Sequence, residues 1–225
     1  MKKIFKFFFW VVLIAVLILA FLGFVKYFEA TREVSLDEKI AELQQSEDYT
    51  EIEDIPKTFI NAMVAVEDRR FFKHHGFDII GIARAFYVNI RDGELAEGGS
   101  TITQQLAKNL YFPMDSTPTR KIAELYMALE LEKKFEKYEI LELYFNVIYY
   151  GRGCYNIKDA AEVYFGKEPH ELNDFECTLL AGIPNAPSVY STNEKLQKKR
   201  HEKVLKSLVE FGYMTEKEVK KLMDK

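Results

Sequence analysis

Gly98-Gly99-Ser100-Thr101-Ile102-Thr103-Gln104-Gln105-Leu106-Ala107-Lys108-Asn109 is the stretch on which the fold class turns. Thr101 with Gln104 three residues later is a capping-box pattern, so a helix is expected to begin here after a flexible Gly-Gly approach. Ile102, Leu106 and Leu110 share one face of that helix. Thr101, Gln104, Gln105 and Lys108 share the other. The start of a helix offers unpaired N–H groups and partial positive charge, a ready setting for an anion. The Walker spacing is absent, so a nucleoside triphosphate is not implied. An ordinary amphipathic helix with a solvated Lys108 explains the cap as well, but it leaves the cluster of hydroxyls and amides unexplained.

Upstream lies Glu67-Asp68-Arg69-Arg70-Phe71-Phe72-Lys73-His74-His75-Gly76. The bland account is a solvated face stitched by weak ion pairs. Against it, the run closes an apolar pattern (Phe59, Met63, Val66) and leads into Phe71-Phe72, so Glu67 sits beside burial, a setting that suits a carboxylate to proton transfer. Downstream, Thr117-Pro118 supplies an N-cap and a proline at the first helical position. Arg120 and Lys121 then fall in the first turn, where the helix dipole disfavours cations by roughly 0.3 to 1 kcal/mol each. A surface pair of Arg120 with Glu124 has the less favourable order, basic before acidic. A bound anion accounts for the cations better, and a carboxylate such as Glu124 among them is favoured in its charged form.

The rest of the chain also reads as helical, with no internal repeat, no low-complexity tract and no alternating strand set. Helices are expected over Thr58 to His74, Phe77 to Ile90, Thr101 to Leu110, Pro118 to Lys137, Glu139 to Ile148, Lys158 to Phe165, Asp174 to Ala181, Lys195 to Phe211 and Glu216 to Met223. Gly166 and Gly212 stand at stops, and Asn173 and Thr215 open capping boxes. The segment Ile79 to Ile90 is expected to face the core, with partial insertion into a membrane interface as the alternative. The glycine-bearing loop Arg91 to Gly99 is expected to open and close the site. Cys154 and Cys177 lack metal or redox spacing and read as buried packing residues.

At the N-terminus, Phe7 to Val25 carries no charge and matches the about 20 residues that span a hydrocarbon core. It is too long for the apolar part of a signal peptide, about 7 to 15 residues. Lys2, Lys3 and Lys6 precede it, which predicts a cytoplasmic N-terminus and an extracytoplasmic domain. The expected organisation is a short cytoplasmic segment 1–6, a transmembrane helix 7–25, a polar linker 26–54 containing a short helix capped at Ser35, and a domain over 55–225. The formal net charge of −4 gives no case for nucleic acid binding by bulk electrostatics.

Together the motifs carry a resemblance. Glu67-Asp68-x-x-Phe71-x-x-His74-x-Gly76, the Gly98 to Asn109 stretch and Arg120-Lys121-x-x-Glu124 resemble the ordered motifs of the peptidoglycan glycosyltransferases. The resemblance continues through Ile140-Leu141-Glu142-x-Tyr144-x-Asn146, Ala160-Ala161-x-x-Tyr164-Phe165-Gly166-Lys167 and Leu180-Ala181-Gly182-x-Pro184-x-Ala186-Pro187, from about Ile55 to Gly212. Glu136, Phe145, Asn156 and Thr192 depart from the family pattern, all outside the candidate centre.

The resemblance implies an all-α, lysozyme-like, two-lobed domain that polymerises lipid II, a lipid-linked disaccharide-peptide, into β-1,4 glycan strands for the cell wall. It implies Glu67 as general base and Glu124 as the second catalytic carboxylate. Asp68, Phe71, His74, Ser100, Thr101, Gln104, Gln105, Lys108, Arg120 and Lys121 are implied as substrate contacts. A divalent cation, Mg or Mn, with Glu124 as a possible ligand, is the implied cofactor. Lipid II, the growing glycan chain, membrane lipid and other cell-wall synthesis proteins are the implied partners. No room remains after Lys225 for the transpeptidase domain of the related bifunctional class, so a monofunctional enzyme is expected. The rival readings are a lytic transglycosylase or muramidase, with Glu67 as acid, and a noncatalytic membrane-anchored scaffold.

Overall fold

The computed structural model describes residues 2–92, 98–112 and 117–223, and among these it contains α- and 3-10 helices and no strand. Helix α1 (Lys2–Glu33) contains the whole apolar run and continues past it. It is long and apolar enough to cross a membrane, with a mean hydropathy of 3.0 over its most apolar window. Helix α2 (Leu36–Gln44) begins at Ser35, whose hydroxyl accepts from Glu38 N–H. The segment expected as a polar linker therefore contains a helix that docks on the domain: Leu36 and Ile40 are buried in its core.

Helix α3 (Lys57–Glu67) is followed by α4 (Ile79–Asp92), α5 (Ile102–Tyr111), α6 (Pro118–Lys134) and α7 (Lys137–Phe145). Then come α8 (Ile157–Phe165), α9 (Asp174–Ala181), α10 (Pro187–Tyr190), α11 (Glu194–Glu210) and α12 (Glu216–Met223). The core gathers Phe59 and Met63 of α3, Ile102 and Leu106 of α5, Met127 and Leu131 of α6, and Ile140, Leu141 and Tyr144 of α7. In α5 and α6 the apolar core residues follow the three-to-four spacing of one stripe, whereas α3 and α7 are buried on several sides.

Two expected helices are each divided. The run Thr58 to His74 ends its α-helix at Glu67, because Asp68 leaves helical geometry (φ −152°, ψ 73°) and only a 3-10 turn, Phe71–Lys73, follows. Asp68 leaves the helix because its carboxylate is held elsewhere, by His74 and by the start of α5. The run Pro118 to Lys137 ends at Lys134. Phe135 is extended, and Glu136 caps the next helix by donating its N–H to Glu139 at 2.6 Å. Asn156 likewise caps α8, accepting from Asp159 N–H at 2.7 Å. Two of the departures from the family pattern thus serve as local helix starts.

Helix α4 corrects the core-facing expectation. Ile79, Ile80, Phe86, Tyr87 and Ile90 are all more than half exposed, while Ala85 is buried. Most of the loop expected to gate the site, 93–97, lies outside the described residues. Cys154 and Cys177 are free and buried, and burial pushes the Cys177 thiol up to about 12.

His201 of α11 meets Thr178 of α9 at 2.8 Å and Phe175 edge-on. Burial lowers its pKa from 6.5 to about 4. The unfolded chain takes up this proton below about pH 6.5 and the folded chain does not, so stability is lost as pH falls from 6.5 toward 4. His201→Gln is expected to flatten that loss, on the order of 2 to 3 kcal/mol, in urea titrations of the detergent-solubilised chain at pH 7 and pH 4.5.

Candidate active site

Glu67 is the last residue of α3, and the carbonyl end of a helix disfavours a carboxylate. Arg200 of α11 offsets this. Its Nη2 lies 2.9 Å from Glu67 Oε1, and the two side chains are only 6 and 8 % exposed. Arg200 Nε also donates to Gly182 O at 3.2 Å, which fixes the guanidinium from behind. The second Glu67 oxygen accepts from Gln105 Nε2 at 3.2 Å, and the Gln105 carbonyl oxygen accepts from Tyr144 OH at 3.1 Å. Burial, then the negative charge of Glu67, raises the Tyr144 phenol well above 10, so it stays a donor.

The next residue does a different job. Asp68 Oδ2 accepts from Ile102 N–H, the first amide of α5, at 3.0 Å, and both its oxygens lie 3.0 Å from His74 Nε2. Thr101 and Gln104 form the expected capping box, and Thr101 Oγ1 donates to Gly76 O at 2.7 Å. Gly76 has φ +81°, and a Cβ there would meet the Ala128 carbonyl at 3.1 Å, so the turn that receives Thr101 needs glycine. Phe71 is fully buried, His74 is 7 % exposed, and neither lines the groove. Both pack within the turn that follows Glu67, where His74 holds Asp68.

Beside this turn opens a groove of about 690 Å³. Glu67, Ser100, Gln104, Gln105, Lys108, Arg120, Lys121 and Glu124 all line it. Asp68 and Thr101 line only a smaller recess next to it. The groove concentrates positive charge: Arg84 of α4, Lys108 of α5, and Arg120 and Lys121 of α6 meet Arg69 and the α11 residues Arg200, Lys203 and Lys206. The acidic lining is Glu67, Glu124 and Glu210. The α11 cations escaped the sequence reading because their run, Lys198 to Lys206, looks like a solvated face. Arg200, Lys203 and Lys206 recur every three residues, but Lys198 and Lys199 beside them hide the pattern.

Glu124 explains the cations at the start of α6. It has no exposure, one oxygen lies 2.9 Å from Arg120 Nε and the other 2.7 Å from Lys121 Nζ. Lys121 Nζ also donates to Ser100 Oγ at 2.7 Å, tying α6 to the approach of α5. The surface pair weighed against a bound anion is in fact a three-residue cluster in which Glu124 is buried and Arg120 and Lys121 are partly exposed. A divalent cation at Glu124 would have to displace one of these two cations. The residues there do not fit a protein-held Mg or Mn, and no group of three His, Cys, Asp or Glu comes together among the described residues.

The groove thus sets one carboxylate, Glu67, among cations that outnumber the acids, a setting suited to an anionic ligand. Comparisons with known proteins give the family. The transglycosylase family profile matches residues 36–209. Penicillin-binding protein 1A of Aquifex aeolicus is 45 % identical over 179 residues, covering 79 % of this chain and 25 % of that protein. A provisionally named transglycosylase of Cupriavidus necator is 39 % identical over 214 residues, covering 94 % of this chain and 92 % of that one. The chain thus spans a quarter of the first relative and nearly all of the second. The crystal structure of penicillin-binding protein 1A from Haemophilus influenzae is 22 % identical, with a TM-score of 0.44 over 77 % of this chain and 17 % of that one. The chain belongs to the transglycosylase family.

Asp68→Ala strands Ile102 N–H and His74 Nε2 away from an acceptor, which is expected to cost about 1 to 3 kcal/mol of stability. Asp68→Asn keeps one acceptor oxygen and is expected to cost less. Urea midpoints of the two variants in detergent check the order.

Proposed function

We propose that the chain is a peptidoglycan glycosyltransferase that transfers a glycosyl unit from a polyprenyl-diphosphate donor of the lipid II type to the growing glycan chain. The observation that carries this reading is the Glu67 carboxylate, held by Arg200 and Gln105, in a groove whose cations outnumber its acids.

Glu67 takes the proton from the acceptor's sugar hydroxyl as that oxygen attacks the donor's anomeric carbon. The new C–O bond forms while the bond to the diphosphate breaks and its electron pair leaves on the diphosphate oxygen. Attack opposite the leaving group inverts the centre, so an α-linked donor gives a β-1,4 product. A diphosphate leaves without a strong general acid, and what it requires is charge stabilisation. Lys108, Arg120 and Lys121 supply it, and Glu124 holds the last two in place. Glu124 thereby acts through its cations and takes no proton in this scheme.

A carboxylate paired with a buried guanidinium is set up as an acceptor. That favours the base over the protonated acid of the lytic reading. Helix α1 anchors the domain, with Lys2, Lys3 and Lys6 on the cytoplasmic side and the groove outside. Arg84 of α4 lines the groove, and insertion of the exposed apolar residues of the same helix into the interface would bring a lipid-linked donor close to the site.

Glu67→Gln is expected to keep the fold and lose turnover by about 10² to 10⁴-fold, read as radiolabelled polymer formed from lipid II by the purified full chain. Cleavage of preformed strands without polymer formation would overturn the transferase in favour of a lytic enzyme. Folded protein with neither activity would favour a scaffold. The double substitution Phe86→Ser with Tyr87→Ser is expected to raise KM for lipid II in vesicles about tenfold with kcat little changed.

A further inference from the structure

Helix α1 does more than pass near the domain. Gly23 is its buried residue, and a Cβ placed there would lie 2.4 Å from Ile122 Cβ and Cγ2 of α6. Such a contact requires the two backbones to approach as only glycine permits. The contact continues upward: Phe24 and Tyr27 meet the Tyr126 ring at 5.5 and 5.9 Å, and Tyr27 OH donates to Glu130. Residues 23 to 27 thus pair with residues 122 to 130 in the same direction, and the N-terminal end of α6 is the end nearer the apolar run.

That placement fixes a height. Gly23 stands two residues before Val25, where the charge-free run ends. At about 1.5 Å of rise per helical residue, Gly23 lies about 3 Å inside that boundary and Arg120 and Lys121 lie within about 3 Å of Ile122 along α6. The headgroup layer of the outer leaflet begins at the same level. We infer that the Gly23–Ile122 contact sets the height of the Arg120–Lys121–Glu124 cluster at the membrane boundary, so that the anchor positions these cations against a diphosphate that stays in the headgroup layer. Gly23 and Ile122 are positioning residues, since neither touches the reacting atoms. The inference rests on the proposed transfer and on α1 as the membrane span.

The test uses the full chain in phosphatidylethanolamine and phosphatidylglycerol vesicles containing lipid II. Gly23→Leu adds bulk at the contact while keeping the span apolar, and it is expected to lower kcat/KM about tenfold, mainly through KM. Ile122→Ala in the same chain makes room for the leucine and is expected to restore most of the loss. Val16→Leu, on an exposed part of α1, is expected to change nothing. A fluorophore on Pro118→Cys reports height, because Cys154 and Cys177 are buried and do not label. In the otherwise native chain it is expected to be quenched by headgroup-labelled lipid more than by lipid labelled deep in the acyl chain, and to shift in Gly23→Leu.

Native-like activity of Gly23→Leu, or a loss that Ile122→Ala fails to restore, would overturn the inference while leaving the transferase standing. If the native chain makes no polymer, the functional reading fails instead, and the fluorophore still decides the height. Headgroup quenching that shifts with Gly23→Leu supports the placement, and deep or unchanged quenching overturns it.

Discussion

The ion pair between Glu67 and Arg200 joins the end of α3 to the middle of α11 across most of the chain, and the rest of the site is arranged around it. Taking two charges out of water is costly unless geometry and additional hydrogen bonds compensate. Here Arg200 has a second acceptor in Gly182 O, and Glu67 has a second donor in Gln105. Gln105 is held in turn by Tyr144, a buried core residue of α7. The pair therefore links three helices to the core at the point where the groove needs a fixed carboxylate. Loss of either charge would leave the other buried without its match, so the same contact contributes to stability as well as to the chemistry.

The break in the helix after Glu67 separates two neighbouring carboxylates. In a continuous helix they would point about 100° apart and compete for the same surroundings. With Asp68 out of the helix, Glu67 faces the groove and Asp68 faces the amide end of α5. A helix start favours an acceptor there, so Asp68 is engaged and only Glu67 remains in the main groove. His74, Thr101 and Gly76 hold this turn together through contacts already too buried for solvent to compete.

Much of this was legible in the sequence, and the reasons are local. The starts of α2, α5, α6 and α9 were readable because a cap is written in four consecutive residues: Ser35 with Glu38, Thr101 with Gln104, Thr117 with Pro118, Asn173 with Glu176. The end of α3 was not, because what stops it is a partner 34 residues away, Ile102 N–H. Glu124 was legible as a carboxylate among cations but not as a buried one, since burial is decided by how the helices pack and not by its neighbours in sequence. Arg200 was illegible for the same reason: nothing near it in the sequence distinguishes it from the solvated lysines beside it. The face of α4 was misassigned because an apolar stripe tells which side avoids water, without telling whether protein or lipid covers it.

The acidic residues in the groove bear on which reaction the site favours. Glycosidases with two carboxylates place them about 5 to 9.5 Å apart, with one kept as an acid. The groove has two other carboxylates, and both are occupied. Glu124 is matched by Arg120 and Lys121 at 2.9 and 2.7 Å with no exposure, and Glu210 faces Arg69 at 3.7 Å. Neither is placed as a free proton donor beside Glu67. A glycosidase that pairs its acid with a second carboxylate would find Glu124 already matched by two cations, whereas release of a diphosphate would be served by those cations. The distribution of charge thus fits the proposed transfer from an anionic donor, with Arg200, Lys203 and Lys206 of α11 adding cations that the motifs do not contain.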